Sequence, residues 1–166
     1  MLVAIIAFAN RRAPQGKHVD ATKAEHSPTI AASGSILGVQ IGSSIEAAHE
    51  KLDRLCESAP SNQKGEADEG EGGERAYWKF SGTEFTWLIA WANREGKIFQ
   101  MSATLRADQR KPFEEVGDPK TATANLENVI SWNVARPNEG SFRVVAKGPA
   151  RKAGTIQILL LQENRR

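Results

Sequence analysis

Three segments of alternating apolar and polar residues, at positions 76–80, 84–91 and 97–106, constrain the fold of this chain most strongly. Alternation is the period of a β-strand, whose successive side chains point to opposite faces of a sheet. Short segments that contain glycine and other turn residues, 81–83 and 93–96, separate the three, as is typical of antiparallel hairpins. The sequence therefore predicts an antiparallel meander of three aromatic-rich strands.

A second set of strands is predicted at positions 129–135, 141–147 and 155–162. The two connections, 136–140 and 148–154, contain the proline, glycine and asparagine residues that favour turns. The last strand is apolar enough that we expect it to lie in the centre of the sheet or to be closely covered.

An amphipathic helix is predicted just before the first meander. Ile45, Ala48, Leu52 and Leu55 recur at steps of three, four and three residues, which places them on one helical face. Ser43 and Glu46 have the spacing of a capping box at the start of this helix. Because the apolar face needs a partner, the predicted fold class is α+β: an antiparallel sheet of about six strands, in two three-strand meanders, covered on one face by one main helix.

Composition divides the 166 residues into an apolar N-terminal segment (1–9), a flexible linker (10–35) and a single α+β domain (36–166). The linker has too few large apolar residues to offset the entropy of ordering it. Within the domain, residues 63–75 hold five acidic residues among four glycines, which predicts a mobile acidic loop.

The nine-residue apolar run at the N-terminus is too short to span a bilayer as a helix. It ends in the small-x-small pattern of a signal-peptide cleavage site. We therefore interpret it as part of a signal peptide whose true start lies upstream of Met1. We therefore expect a periplasmic or secreted protein without a transmembrane span. The alternative is a cytoplasmic domain with an apolar first element.

The sequence offers little catalytic chemistry. The net charge is +2 and the adjacent basic pairs are scattered, so no nucleic-acid partner is predicted. Cys56 is the single cysteine, and His18, His26 and His49 show no ligand-like spacing. No nucleophile with a base and no phosphate-binding loop can be identified. We expect neither a cofactor nor a metal, and we do not expect an enzyme.

One region resembles a known group of proteins. Residues 39–47 combine an isoleucine–glycine turn, a serine cap and the start of a helix, and residues 95–98 form an acidic-Gly-Lys turn late in the meander. This order resembles small bacterial envelope domains, which include the small lipoproteins of the outer-membrane β-barrel assembly machinery and the β-lactamase-inhibitor-protein-like domains. The resemblance covers about residues 36–106 and implies a non-enzymatic envelope domain that binds protein.

The aromatic side chains of the strands are the candidate partner surface, because aromatic residues are favoured anchors at interfaces. The candidates are Tyr77, Trp78, Phe85, Trp87, Trp91 and Trp132. For each of them the competing interpretation is a place in the core. The predicted function is protein–protein interaction in the cell envelope. The alternative is a small-ligand-binding protein or hydrolase with a pocket between helix and sheet.

Overall fold

The computed structural model describes residues 29–56, 61–63, 73–136 and 140–161, and for 61–63 only the backbone. The helices are α1 (Ile30–Ser33), α2 (Ile45–Leu52) and α3 (Phe113–Val116). The strands are β1 (Ser35–Ile36), β2 (Val39–Gln40), β3 (Ser61–Gln63), β4 (Glu74–Lys79), β5 (Phe85–Ala92), β6 (Ile98–Leu105), β7 (Lys111–Pro112), β8 (Ala124–Asn125), β9 (Val129–Arg136), β10 (Gly140–Lys147), β11 (Lys152–Ala153) and β12 (Thr155–Leu161). The predicted segment 1–9, the linker up to residue 28 and the acidic loop from 64 to 72 lie outside the described residues.

Eight of the twelve described strands form one large antiparallel sheet in the order β3-β4-β5-β6-β12-β10-β9-β8, while β1 pairs with β2 and β7 pairs with β11 in two small two-stranded sheets. Its six long strands correspond to the six predicted ones, so the α+β class with a mainly antiparallel sheet is confirmed. The number of strands differs, because β3 and β8 lie at the two edges. These edge strands have three and two residues, too few for an alternating pattern to be recognised in the sequence.

The two predicted meanders are joined into a continuous sheet by β6 and β12. Met101 stands opposite Ile158, and both side chains are fully buried. β12 therefore lies between the two halves of the sheet, as its apolar sequence predicts. The shared pairing gives the molecule a single core rather than two.

Helix α2 packs against the core side of the sheet through most of its predicted apolar stripe. The helix ends at Leu52, and Leu55, which the predicted stripe included, is 42% exposed in the turn that follows. Ile45, Ala48 and Leu52 are buried, and the ring of His49 lies 5.0 Å from that of Trp78 on β4. The covering layer is larger than the single helix predicted, because α1 and α3 pack against the same face.

The junction between α1 and α3 is very close. A Cβ atom placed on Gly117, just after α3, would lie 2.5 Å from the side chain of Ala31 and 2.7 Å from the Trp132 ring. Only a glycine fits at this distance, because Cβ atoms do not approach other atoms so closely. Gly117 thus lets α1, α3 and β9 meet.

Helix α2 begins one residue later than predicted. The hydroxyl oxygen of Ser44 accepts a hydrogen bond from the backbone N–H of Ala47 at 3.1 Å, so Ser44 is the N-cap. Ser43 belongs to the preceding turn, where its carbonyl accepts from the N–H of Ile98 at 2.9 Å. The predicted capping box between Ser43 and Glu46 is therefore wrong, because this turn contact holds Ser43 outside the helix.

Residues 29–35 fall inside the predicted linker but are folded. The side chain of Thr29 caps α1 by accepting from the N–H of Ala32 at 3.3 Å. Gly34 ends the helix with a left-handed φ of 59°. Ala31 is buried, so a small residue contributes to the core where composition alone predicts a linker.

Candidate functional site: the open face of the sheet

The side of the sheet opposite α2 has a different character from the core side. We call it the open face, and its side chains on the six long strands are all half-buried or exposed. They comprise Arg75, Tyr77, Lys79, Trp87, Ile89, Trp91, Gln100, Ser102, Thr104, Val129, Ser131, Asn133, Ala135, Ser141, Arg143, Val145, Lys147, Thr155, Gln157, Leu159 and Leu161.

Four large side chains on β4 and β5 form what we call the aromatic patch: Tyr77, Trp87, Ile89 and Trp91. Tyr77 stands opposite Ile89 in the strand register, and its ring centroid lies 4.7 Å from that of Trp87. All four side chains keep part of their surface exposed to solvent. Burial raises the pKa of Tyr77, and the nearby Arg75 guanidinium partly opposes this effect.

Two cations lie over the rings of this patch. The guanidinium carbon of Arg75 is 5.5 Å from the ring centroid of Trp91. The ammonium group of Lys79 is also 5.5 Å from the ring of Trp87. Such cation–π contacts hold the charged side chains against the apolar surface, so hydrophobic area and positive charge are presented together.

Phe85 does not join this patch, although strict alternation predicts it on the same side as Trp87 and Trp91. The register between β5 and β6 shifts between Phe85 and Trp87. A β-bulge of this kind inserts an extra residue and reverses the facing of the side chains beyond it. Phe85 is only 1% exposed, and its assignment to the partner surface is corrected.

Trp78 and Trp132 also lie in the core, at 0% and 2% exposure. The indole N–H of Trp78 donates to a carboxylate oxygen of Asp53 at 2.8 Å. That of Trp132 donates to the carbonyl of Asp118 at 2.8 Å. Both buried donors are thus satisfied, which is what a tryptophan in the core requires. Of the six predicted surface residues, Tyr77, Trp87 and Trp91 therefore remain on the open face.

The open face also carries charges that the sequence analysis did not identify as a group. Arg75 and Lys79 project from β4, and Arg143 and Lys147 from β10, and all four are exposed. Among the described residues of the six long strands, no acidic side chain lies on this face. Four residues separate the members of each pair, and an even spacing on a strand places both on one face. This even spacing, visible in the sequence, is the signal from which the group of cations could have been predicted.

The strand register relates these four cations to one another. Two cross-strand rows of paired residues connect them: Arg75–Trp91–Gln100–Leu159–Arg143 and Lys79–Trp87–Thr104–Thr155–Lys147. Each row begins and ends with a cation and is uncharged in between.

His49, the only histidine in the predicted fold, lies on the core side. Its Nδ1 is 3.0 Å from a carboxylate oxygen of Asp53, which also accepts from Trp78. Its Nε2 is buried without a hydrogen-bond partner and lies 4.0 Å from Glu74. These contacts connect α2 to Glu74 at the start of β4 and to Trp78 near its end. Among the described residues, no group of three or more His, Cys, Asp or Glu side chains could hold a metal ion.

Two clefts lie away from His49. One, of about 470 Å³, lies between the turn after β2 and the start of β6, and its lining includes Gln40, Ser43 and Phe99. The other, of about 370 Å³, lies between α1 and β9, and its lining includes Ala32 and Trp132. Neither cleft brings a histidine and a carboxylate together. The second lies between a helix and the sheet, so the alternative of a small-ligand-binding protein or hydrolase with such a pocket stays a prediction.

Comparison of the chain with protein-family models, with curated proteins and with solved structures finds no match. The resemblance of residues 36–106 to small envelope domains therefore stays a prediction. In the part of the chain that the structure describes, every helix is too short to cross a membrane.

Proposed function

We propose that this protein is a non-enzymatic binding protein that recognises another protein through its open face. The observation that carries the proposal is that Trp87 and Trp91 are half-buried on the sheet face opposite α2, with Arg75 against one of the rings. Aromatic residues and arginine are the side chains most enriched at protein interfaces and at their energetic hot spots. A stability role alone does not require large rings on this side of the sheet.

The shape of the open face supports a macromolecular partner. Small-molecule sites are concave and enclose most of their ligand, whereas this surface is one side of a six-strand sheet. With about 3.3 Å per residue and about 4.8 Å between strands, it measures roughly 25 Å by 24 Å. That area, about 600 Å², approaches the roughly 800 Å² that each partner contributes to a standard interface.

We place this function in the cell envelope. The support is the apolar segment 1–9 with its small-x-small end and the resemblance of residues 36–106 to envelope domains. Fractionation of cells in which the chromosomal gene carries a C-terminal tag, so that any upstream translation start is retained, tests the location. Recovery in the periplasmic or secreted fraction with residues 1–9 removed agrees with the proposal, whereas an unprocessed chain in the cytoplasm contradicts it.

The binding function is tested by affinity capture with three baits: the wild type, Trp87→Ala/Trp91→Ala, and Leu126→Ala as a matched control. Leu126 is 64% exposed and lies outside the open face, so its loss removes apolar surface without touching the aromatic patch. We expect proteins that the wild type and the control retain and the double variant loses. Each such protein is then purified and titrated against the wild type.

The proposal fails if a folded Trp87→Ala/Trp91→Ala variant retains every partner of the wild type. Circular dichroism and thermal unfolding of the three baits establish that the comparison is between folded proteins.

A further inference from the structure

We infer that the outer edge of β9, from Asn133 to Ala135, binds an extended segment of another protein, which adds to the sheet as a strand. The segment carries an apolar residue that enters the cleft beside α1 and, next to it in sequence, an acidic residue that pairs with Arg143. This edge is separate from the aromatic patch, so the inference goes beyond the proposed function and does not depend on it.

The outer side of β9, away from β10, is covered only in part by β8. The paired residues of β9 are Ile130 and Ser131, and the carbonyl of Ser131 also accepts from the N–H of Thr123 at 2.7 Å. The backbone groups of successive residues in a strand point to alternate sides of it. Those of Asn133 and Ala135 therefore point to the same outer side as those of Ser131, beyond the end of β8.

These outward groups form a short template for another strand. The N–H of Asn133 donates to the hydroxyl of Thr123 at 3.0 Å. Among the described residues, none donates to the Asn133 carbonyl, and none bonds the N–H or the carbonyl of Ala135. One N–H and two carbonyls along a strand edge match the backbone of an extended chain, which is how a peptide strand adds to a sheet.

The cleft of about 370 Å³ lies beside this template, and its apolar lining includes Ala32 of α1 and Trp132 and Val134 of β9. Val134 packs against the core. Because residues opposite each other in paired strands share a face, the residue that an added strand places opposite Val134 points to the same side and enters the cleft. Asp118 also lines the cleft, and its carboxylate disfavours a second negative charge there. The cleft thus suits an apolar side chain.

The adjacent residue of the added strand lies on the other face, beside Asn133. Arg143 stands opposite Asn133 in the register of β9 and β10, and its Nε donates to the Asn133 side-chain oxygen at 2.8 Å. This contact brings the exposed guanidinium of Arg143 over β9, towards the outer edge. The guanidinium forms no ion pair with any residue that the structure describes. A carboxylate at this position of the added strand complements its charge.

Two other occupants lack this combination of side chains. β9 of a second copy contains no acidic residue, and its core-side residues are already in use. Its Val134 packs against its own core, and its Arg136 lies 4.7 Å over the ring of its own Phe142. Residues 10–28 of the same chain lead to Thr29 in the cleft lining, but they are poor in large apolar residues.

The test selects ligands from a displayed library of random peptides of about ten residues, with the full chain as the target. The selected peptides are then measured against four variants. Ala32→Phe fills the cleft from an exposed position, Ala135→Pro removes the free N–H at a strand edge, where proline is tolerated, and Arg143→Gln removes the charge. Lys147→Gln is the matched control, because it removes the same charge from the same face of β10 four residues away.

The inference predicts peptides in which an apolar and an acidic residue are adjacent. Their affinity falls at least about tenfold with Ala32→Phe, Ala135→Pro and Arg143→Gln, and changes less than about twofold with Lys147→Gln. Methylation of the backbone nitrogens of a selected peptide, one at a time, weakens binding at alternate positions only, because every second N–H of an added strand faces β9. This series requires no substitution in the protein, so it decides the case even where Ala135→Pro does not fold.

Four results overturn the inference. Peptides that lose no affinity at alternate methylated nitrogens do not bind as a strand. Equal losses in Arg143→Gln and Lys147→Gln contradict the acidic contact. Peptides that require Trp87 and Trp91 but not the edge of β9 bind the aromatic patch, which contradicts this inference and agrees with the proposed function. An affinity that rises at least about tenfold when residues 10–28 are deleted assigns the edge to the chain itself.

Discussion

At the scale of single residues, Phe85 and Trp87 illustrate how one β-bulge divides the aromatic side chains between the core and the open face. Phe85 is 1% exposed, whereas Trp87, two positions later, is half-buried on the opposite side of the sheet. Residues two apart in a regular strand share a face. The register shift between them therefore decides which ring stabilises the fold and which can contact a partner.

This division predicts unequal costs for the two truncations. Phe85→Ala removes a fully buried ring and leaves a cavity, so we expect a loss of about 3–5 kcal/mol in the free energy of unfolding. Trp87→Ala removes a half-buried ring on the open face and should cost about 1–2 kcal/mol. Urea unfolding followed by circular dichroism measures both values. Equal costs for the two variants would contradict the bulge.

A second prediction concerns the reactivity of Cys56. Burial raises the pKa of its thiol, and the carboxylate of Asp53 raises it further. At a given pH the native protein therefore holds less thiolate than the unfolded chain, and its alkylation by iodoacetamide is slower. Because the pKa is raised in the folded state, the stability that the protonated thiol contributes is present at neutral pH and is lost as the pH rises through the native pKa.

The pH profile of alkylation checks this, with the chain unfolded in urea as the reference. Asp53→Asn removes the negative charge but keeps an oxygen that can accept from Trp78, so its profile should move to lower pH and stay above that of the unfolded chain. A native profile at or below the unfolded one would show that the surroundings of Cys56 do not disfavour its thiolate.

The sequence predicts the identity of the aromatic side chains on the strands but not their division between the two faces. Tyr77, Trp87 and Trp91 were candidates for the surface together with Trp78 and Trp132. A tryptophan can serve in either place, because its large apolar area suits a core and its N–H needs only one acceptor. The acceptors here, Asp53 and the carbonyl of Asp118, belong to elements that are distant in the sequence.

At the scale of elements, α2 depends on a cap that two neighbouring serines could supply. The hydroxyl oxygen of Ser44 accepts from a backbone N–H in the first turn of the helix. The hydroxyl of Ser43 donates instead to the carbonyl of Gln40 at 2.7 Å, in the turn before the helix. The two side chains are chemically identical, and the turn determines which of them caps the helix.

Substituting each serine in turn therefore gives different results. Ser44→Ala should lower the free energy of unfolding by about 1 kcal/mol, because it leaves a helix N–H without its acceptor. Ser43→Ala should change it by less than about 0.5 kcal/mol, because the hydrogen bond that it removes lies at the surface, where water can replace the hydroxyl as donor to the Gln40 carbonyl. Thermal or urea unfolding of the two variants provides the comparison. A larger loss for Ser43→Ala would restore the capping box that the sequence predicts.

Elements in which apolar residues recur at strand or helix spacing could be predicted from the sequence, whereas very short elements could not. The six long strands and α2 each carry enough residues for alternation or helical spacing to be visible. β3, β8 and α1 span two to four residues and owe their conformation to neighbouring strands and caps. The charges of the open face were predictable in part. Once both segments are assigned as strands, the even spacing within each pair, Arg75 to Lys79 and Arg143 to Lys147, is visible in the sequence.

At the scale of the whole molecule, the pairing of β6 with β12 converts two meanders into one sheet. Residues about 57 positions apart, such as Met101 and Ile158, stand opposite each other in this pairing. Contacts between distant segments leave no local pattern, so the strand order could not be predicted from the sequence. The same pairing places the cations of β4 and β10 on one continuous face.

One sheet with one core implies one cooperative unfolding transition. Ile130 lies on β9 and is fully buried, and Ile130→Ala should cost about 2–5 kcal/mol. Because β9 connects to β5 through β10, β12 and β6, the most protected amides of β5 should lose the same free energy of protection as those of β9. If the two halves of the sheet unfolded separately, Ile130→Ala would lower the protection of the β9 amides and leave that of the β5 amides unchanged.

Native-state hydrogen exchange of the wild type and Ile130→Ala measures this protection residue by residue. Ala90→Gly, which truncates a buried residue on β5 itself, is the reciprocal variant and should lower the protection of β9 in the same way. If either substitution weakens only its own half of the sheet, the β6–β12 pairing does not couple the halves. The aromatic patch of β4 and β5 and the cations of β10 would then not belong to one rigid surface.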